Sequence, residues 1–407
     1  MPTKKSNEIL AINGGTPVRE TPMPSRRLFD ESALKAVQSV FERAWEKGVD
    51  FGFHGEAEDL YTQAFVSFQG GGYADAVSSG TAGIYLALKA LDIHEGSEVI
   101  VPPVTDPGGV TPVVLTGLKP VVADAREGGF NLGAKQVEQV ITSRTKALIV
   151  AHIGGIPAAM DEIAAVCQQH SLKLIEDCSQ AHGAEYHSKK VGTFGDVAVF
   201  STMFSKAHAS GGCGGLVYLK DKNLYWRIRS FADRGKNFLD TDFDPRNPKG
   251  NLFLALNFNQ DELSCAIGLS NLKKLPRIIA RRNEIVQMIN AGLSASRIVR
   301  PVTEDDDITV SPFFHTLTVA ADRIAVSKEA FARAIMAEGI PLNPDYKQVV
   351  SEWPWFRPHL GAASHTPNAV AFRNSSFNVL FHENYREQDV ADIVNAILKV
   401  ERVLGKQ

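Results

Sequence analysis

The sequence predicts an α/β fold: a mostly parallel sheet covered on both faces in a large domain, followed by a smaller C-terminal α/β domain. Short apolar runs at 98–102 (EVIVP), 120–124 (PVVAD), 147–152 (ALIVAH), 173–177 (KLIED) and 197–200 (VAVF) read as buried strands. Helical stretches such as 81–91 and 161–170 lie between several of them. Strands that are apolar throughout, separated by helices, indicate a sheet buried on both sides. The length of 407 residues exceeds one small core and suits two domains.

Taken in order, residues 1–29 hold Gly14-Gly15, Pro17, Pro22 and Pro24, which predicts an extended arm and no packed element. Asp30-Glu31-Ser32 opens a helical pattern with Leu34, Val37 and Val40 on one face. The large domain runs over 30–275. Within it, 236–250 (KNFLDTDFDPRNPKG) is polar and aperiodic, a surface loop. Helical periodicity returns over 261–275, and Pro276 is expected to kink or end that helix. The small domain takes 276–407.

Composition excludes several classes. A 44% hydrophobic and 22% charged chain is not disordered, and a net charge of −3 supplies no basic field for nucleic acid. The four cysteines, Cys167, Cys178, Cys213 and Cys265, form no C-x-x-C pair and no disulfide framework. The first residues lack a long apolar run, and the apolar stretch 110–125 is broken by Pro, Gly and Lys short of a membrane span. The expectation is a cytoplasmic protein with neither a nucleic-acid nor a membrane partner, and with no metal site.

Three segments carry chemistry. In 78–88 (SSGTAGIYLAL), Gly80-Thr81-Ala82 opens an apolar helix, whose free amides and positive end suit a phosphate. In 173–184 (KLIEDCSQAHGA), Asp177 ends a strand at the sheet edge where α/β ligand sites form, and a carboxylate buried there needs a cationic partner. In 195–219, Ser201 follows a strand, and Lys206 comes five residues later, before a glycine-rich turn. A lysine in such a pocket loses charge by desolvation and becomes a nucleophilic amine. Alone, each has an ordinary reading: a helix cap, a paired carboxylate, a solvated lysine. In this order they match what pyridoxal 5′-phosphate (PLP) requires, a Schiff-base lysine and an acidic partner for its ring nitrogen.

On SSGTAGIYLAL, EVIVPPVT, AHIGGIPAAMD through EDCSQAHGA, FGDVAVFSTMFSK and LNFNQDELSCAIGLSNLKKL, from about Gly55 to the C-terminus, the chain resembles the DegT/StrS family of sugar aminotransferases. The resemblance implies the fold type I PLP-transferase architecture and a transaminase. It implies phosphate contacts from Thr81, Ala82 and Ser201, with Gly80 at the helix start. Asp177 would meet the pyridine nitrogen, Gln180 would lie beside it against the ring, and Lys206 would be the Schiff-base lysine. Asn257 would reach the phosphate of a neighbouring subunit, implying a homodimer with shared sites. Tyr346 and His382 fall near substrate-side positions.

The resemblance also implies an amino-acid donor, glutamate or glutamine, and a keto-sugar acceptor, often nucleotide-linked, or a keto-cyclitol. The N-terminal LAINGGTPVR is similar to cyclitol-type members. The chain departs from the family pattern at Asp106, where an aromatic is expected, and at Ala207, Cys213 and Asn259. Asp106 and His208, two residues past Lys206, are candidate substrate contacts. His152, His170, His182 and His208 form no metal-ligand spacing and read first as structural, and Arg227, Arg229 and Arg234 as a solvated helix face, with an anion contact the alternative for Arg234. Two rivals stand: a PLP-dependent sugar dehydratase, disfavoured because Lys206 is present where that branch has histidine, and a non-catalytic PLP- or sugar-binding sensor.

Overall fold

Seven strands form the central sheet of the structure, a computed structural model that describes residues 8–240, 242–244, 246–302, 307–361 and 364–406. They are β1 (Tyr73–Val77), β2 (Glu98–Val101), β3 (Lys119–Val122), β4 (Thr145–Ala151), β5 (Lys173–Asp177), β6 (Val197–Ser201) and β7 (Gly215–Leu219). Their spatial order is β1-β7-β6-β5-β4-β2-β3, and only β7 runs antiparallel to its neighbours. The strands are apolar because both faces are covered. Val99, Val101, Ile149, Ile175, Val197 and Val199 pack into one cluster, and Ile100, Leu148, Val150 and Leu174 into another. Alternate side chains thus enter opposite cores, the two-residue period of a strand. This is the mostly parallel α/β architecture read from the sequence.

A second sheet of β8 (Val299–Pro301), β9 (His315–Val319), β10 (Leu342–Asn343) and β11 (Ser376–Val379), in the order β8-β9-β11-β10, is antiparallel throughout. The helix Glu387–Leu404 packs on it through Val390, Ile393, Ile397 and Val400. Pro276 does not kink a continuing helix. One helix ends at Leu272, and Pro276 lies in the first turn of the next, Leu275–Gly292, where its missing N–H costs nothing. That second helix begins against the large core with Leu275 and reaches the small one with Ile285 and Ile289. Among the described residues, no helix is long and apolar enough to cross a membrane.

The N-terminal arm is docked, contrary to the expectation of an unpacked segment. Leu10 is buried in the C-terminal core, with Val18 and Met23 against it. Arg19 pairs with Asp389 and Asp392, each at 2.8 Å. These contacts join the two ends of the chain, so local composition carries no sign of them.

The helix Glu31–Lys47 starts at Asp30, whose carboxylate accepts from Ser32 N–H, as its sequence signal predicts. It buries Ala33 and Val40 but leaves Leu34 exposed. Arg229 is not on a solvated face either. It lies between two buried carboxylates, 3.8 Å from Glu58 and 3.9 Å from Asp75. Burial, reinforced by Asp75, pushes the Glu58 carboxyl up to about 8. The folded state therefore binds this proton more tightly than the unfolded chain, and stability is lost as pH rises toward about 8. Glu58→Gln is expected to flatten that loss, giving a higher Tm than the parent above about pH 8; equal pH dependence in both proteins would refute it.

Candidate active site

The C-terminal ends of β2, β4, β5 and β6 and the start of the helix Gly80–Ala90 enclose a pocket of about 180 Å3. This is where parallel sheets bind ligands, because loops diverge there and helix amides point inward. Ser79 caps the helix, its Oγ accepting from Ala82 N–H at 3.0 Å. Gly80 and Thr81 line the pocket, whereas the Ala82 amide expected to face a phosphate is taken by this cap. A Cβ on Gly80 would come within 2.8 Å of Ser201 Cβ, so only glycine lets helix and strand end converge.

Asp177 ends β5 and lines the pocket, its Oδ1 accepting from Ser179 N–H at 3.0 Å. Ser179 Oγ in turn accepts from Ser201 N–H at 2.9 Å, which ties the ends of β5 and β6 together. A Cβ on Gly109 would stand 3.2 Å from Asp177 Oδ2 and 2.8 Å from Thr105 Oγ1, so the space beside the carboxylate depends on that glycine.

Lys206 reaches the same pocket from the loop after β6 and is only 9% exposed. Burial pushes its amine below the usual lysine range, while Asp177 and then Asp106 act in the opposite sense. Its Nζ lies 4.8 Å from the centroid of the Phe313 ring. Phe313, from the C-terminal part of the chain, has no signal near Lys206 in the sequence.

The other expected residues divide. Gln180 lines the pocket, its Oε1 accepting from Gly154 N–H at 2.8 Å and its amide donating to Tyr346 Oη at 3.4 Å. Tyr346 thereby stands behind Gln180, and burial pushes its phenol up to about 12. Asp106 lines the pocket and caps a short turn, accepting from Gly108 N–H at 3.0 Å. Cys213 lines the pocket too.

His208 does not line it. Its ring is fully buried, with Nε2 2.6 Å from Tyr61 Oη, and burial holds its pKa down at about 3. The loop turns between Lys206 and His208, sending the histidine into the core. His382 is also elsewhere, its Nε2 2.8 Å from Pro24 O, where it holds the N-terminal arm. Asn257 is exposed and outside the pocket, its amide oxygen accepting from Asn259 N–H and Nδ2.

One cluster was not foreseen. His152, Glu176 and Cys178 are buried with ligand atoms all within 4.8 Å of one another. Glu176 precedes Asp177 on β5, and Cys178 follows it just past the strand end. The Glu176 carboxylate is occupied by the amides of Gly192, Phe194 and Gly195, and His152 Nδ1 accepts from Ala158 N–H. The cluster is thus held by backbone, with His152 also reaching the pocket wall.

A buried lysine, a strand-end aspartate and a helix start line one pocket, and all three lie inside a region with a recognisable family signature. The signature of the DegT/DnrJ/EryC1/StrS aminotransferase family matches residues 30–398. The chain belongs to this family. This aminotransferase is 30% identical to the putative L-glutamine:3-amino-2,3-dideoxy-scyllo-inosose aminotransferase of Micromonospora echinospora, over 97% of this chain and 98% of that protein. It is 34% identical to the GDP-perosamine synthase of Escherichia coli O157:H7, over 68% and 72% of the two chains. Its structure superposes on that of an aminotransferase from Psychrobacter cryohalolentis with a TM-score of 0.86, at 27% identity, covering 92% of this chain and 98% of that one. The match begins well before Gly55, where the recognisable motifs start, and the fold is that of the type I aminotransferases.

Proposed function

We propose that this aminotransferase uses pyridoxal 5′-phosphate, held by Lys206 and Asp177, to move an amino group from glutamine or glutamate to a keto-cyclitol or keto-sugar. The observation that carries the reading is the meeting of a desolvated amine, a strand-end carboxylate and a capped helix start in one pocket. The donor set suits the cofactor: an amine for its aldehyde, a carboxylate for its ring nitrogen, and backbone amides at Gly80 and Thr81 with Ser201 for its phosphate. Gly109 leaves space beside the Asp177 carboxylate, and Gly80 lets the helix start approach Ser201. Similarity over almost the whole chain to a protein named as a glutamine:cyclitol aminotransferase supports that donor and acceptor class.

When bound, the cofactor supplies an electron sink and a temporary seat for the amino group. Asp177 would hold a proton on the ring nitrogen, and Gln180, fixed by Gly154 and Tyr346, would lie beside it. Lys206, its amine pushed below the usual lysine range by burial, is the group placed to take and return the proton at the carbon that bears nitrogen. Incubation of the protein with L-glutamine, followed by absorbance, tests the reading: conversion to the pyridoxamine form is expected, and a protein that binds PLP but shows no conversion with any amino donor would be a sensor.

The active unit is read as a cytoplasmic homodimer. Leu254 is 98% exposed, with Leu252 and Leu256 also exposed on the same extended segment beside Asn257. An alternating apolar strip of this kind is a surface that a partner covers. Mixing and reassembling Lys206→Ala and Asn257→Ala chains is expected to restore about a quarter of parental activity, because half the dimers are hybrids with one intact site. No restoration by chains shown to exchange would refute shared sites.

A further inference from the structure

Arg26 sits in the docked arm, yet its guanidinium spreads over the backbone of the loop that carries Lys206. Its Nη1 donates to Lys206 O at 2.8 Å and Phe204 O at 3.4 Å, and its Nη2 to Ala207 O at 3.1 Å. The remaining edge is taken by Glu383, whose Oε1 accepts from Arg26 Nε at 2.9 Å. Glu383 also accepts, through Oε2, from Arg282 Nε at 3.0 Å. Arg282, 3% exposed, donates to Pro312 O at 3.0 Å, immediately before the Phe313 ring that stands over the Lys206 amine. His382 and Asn384 grip the arm at Pro24, Ser25 and Arg26 on either side. The chain therefore closes on itself around Lys206. One end of the network fixes the lysine's backbone, the other fixes the aromatic beside its amine, and Glu383 joins them.

We propose that Arg26, joined to Arg282 through Glu383, is a positioning residue that makes the N-terminal arm part of the active site by clamping the Lys206 loop. Charge-assisted hydrogen bonds from a planar fork fix direction as well as distance, and the three donors of a lysine ammonium cannot serve the three carbonyls and Glu383 together. Carbonyls that lose a buried donor must find water, which a loop does by opening. The inference rests on the proposed role of Lys206 only in its catalytic consequence; the clamp itself is a property of the cofactor-free chain.

The test accordingly has two parts. In PLP-free protein, hydrogen exchange in the 202–210 segment is expected to speed up by roughly tenfold or more in Arg26→Ala, since even one charge-assisted bond is worth that much and the variant loses several. Arg26→Lys should not restore the parental rate, and Glu383→Gln should raise exchange in both 202–210 and 310–315. In the loaded enzyme, kcat per bound cofactor should fall by about an order of magnitude or more, with the KM for the amino donor little changed, since the amine and not the donor site is displaced. Parental exchange in a folded Arg26→Ala protein would overturn the clamp, as would full rescue by lysine or an effect confined to KM. Loss of parental activity as a transaminase would instead refute the functional reading and leave the exchange result standing.

Discussion

Lys206→Ala is expected to abolish transamination, by roughly a thousandfold or more, since both the covalent hold on the cofactor and the proton-transferring amine are removed. The protein should still take up PLP through the helix start and Ser201 but lack the yellow absorbance of a lysine-linked cofactor. Unfolding is not the expected cause. Burial lowers the amine's pKa, so the folded state binds this proton less tightly than the unfolded chain, and the native lysine's contribution to stability rises with pH toward the unfolded lysine range. Removing the amine from PLP-free protein near neutrality therefore relieves a desolvation cost, and a Tm at or above the parental one is expected. A variant that keeps its turnover would refute the role.

Asp177→Ala is expected to keep the colour and lose the rate. Without a carboxylate beside it the ring nitrogen loses its proton, and each pKa unit lost represents about 1.4 kcal/mol of differential stabilisation. A loss of two units, if it appears in the barrier, slows the reaction on the order of a hundredfold. Asp177→Asn should behave as Asp177→Ala does, because an amide supplies no charge. Stopped-flow measurement of the glutamine half-reaction separates this from poor binding. Parental rates in the asparagine variant would show that charge at this position is not used.

These two residues were legible in the sequence because Asp177 ends, and Lys206 closely follows, a strand that an apolar run announces. Asp177 follows KLIE, Ser201 follows VAVF, and Lys206 comes five residues after that strand end. The helix start at Gly80 was legible from the Gly-Thr-Ala step opening an apolar helical run, and Ser79 could have been named as its cap from position alone. Side-chain direction inside a loop was not: His208 shares the Lys206 loop, yet it points into the core against Tyr61. Long-range docking was not legible either. The residues that grip Pro24 and Arg26 are 382–384, and nothing in a proline-rich arm announces which surface receives it. Arg229 shows the same limit for charge, because a helix rich in arginine reads as solvated until Glu58 and Asp75 arrive from two other elements. Of the four departures from the family pattern, Asp106 and Cys213 line the pocket, whereas Ala207 and Asn259 do not.

The central claim is that Lys206 is the amine that carries the cofactor, and reductive trapping reads it directly. PLP-loaded protein is reduced with borohydride, digested and mapped by mass spectrometry. The account predicts a phosphopyridoxyl label on Lys206 at near-stoichiometric yield; a label on any other lysine, or none on a protein that binds PLP and turns over, would contradict it.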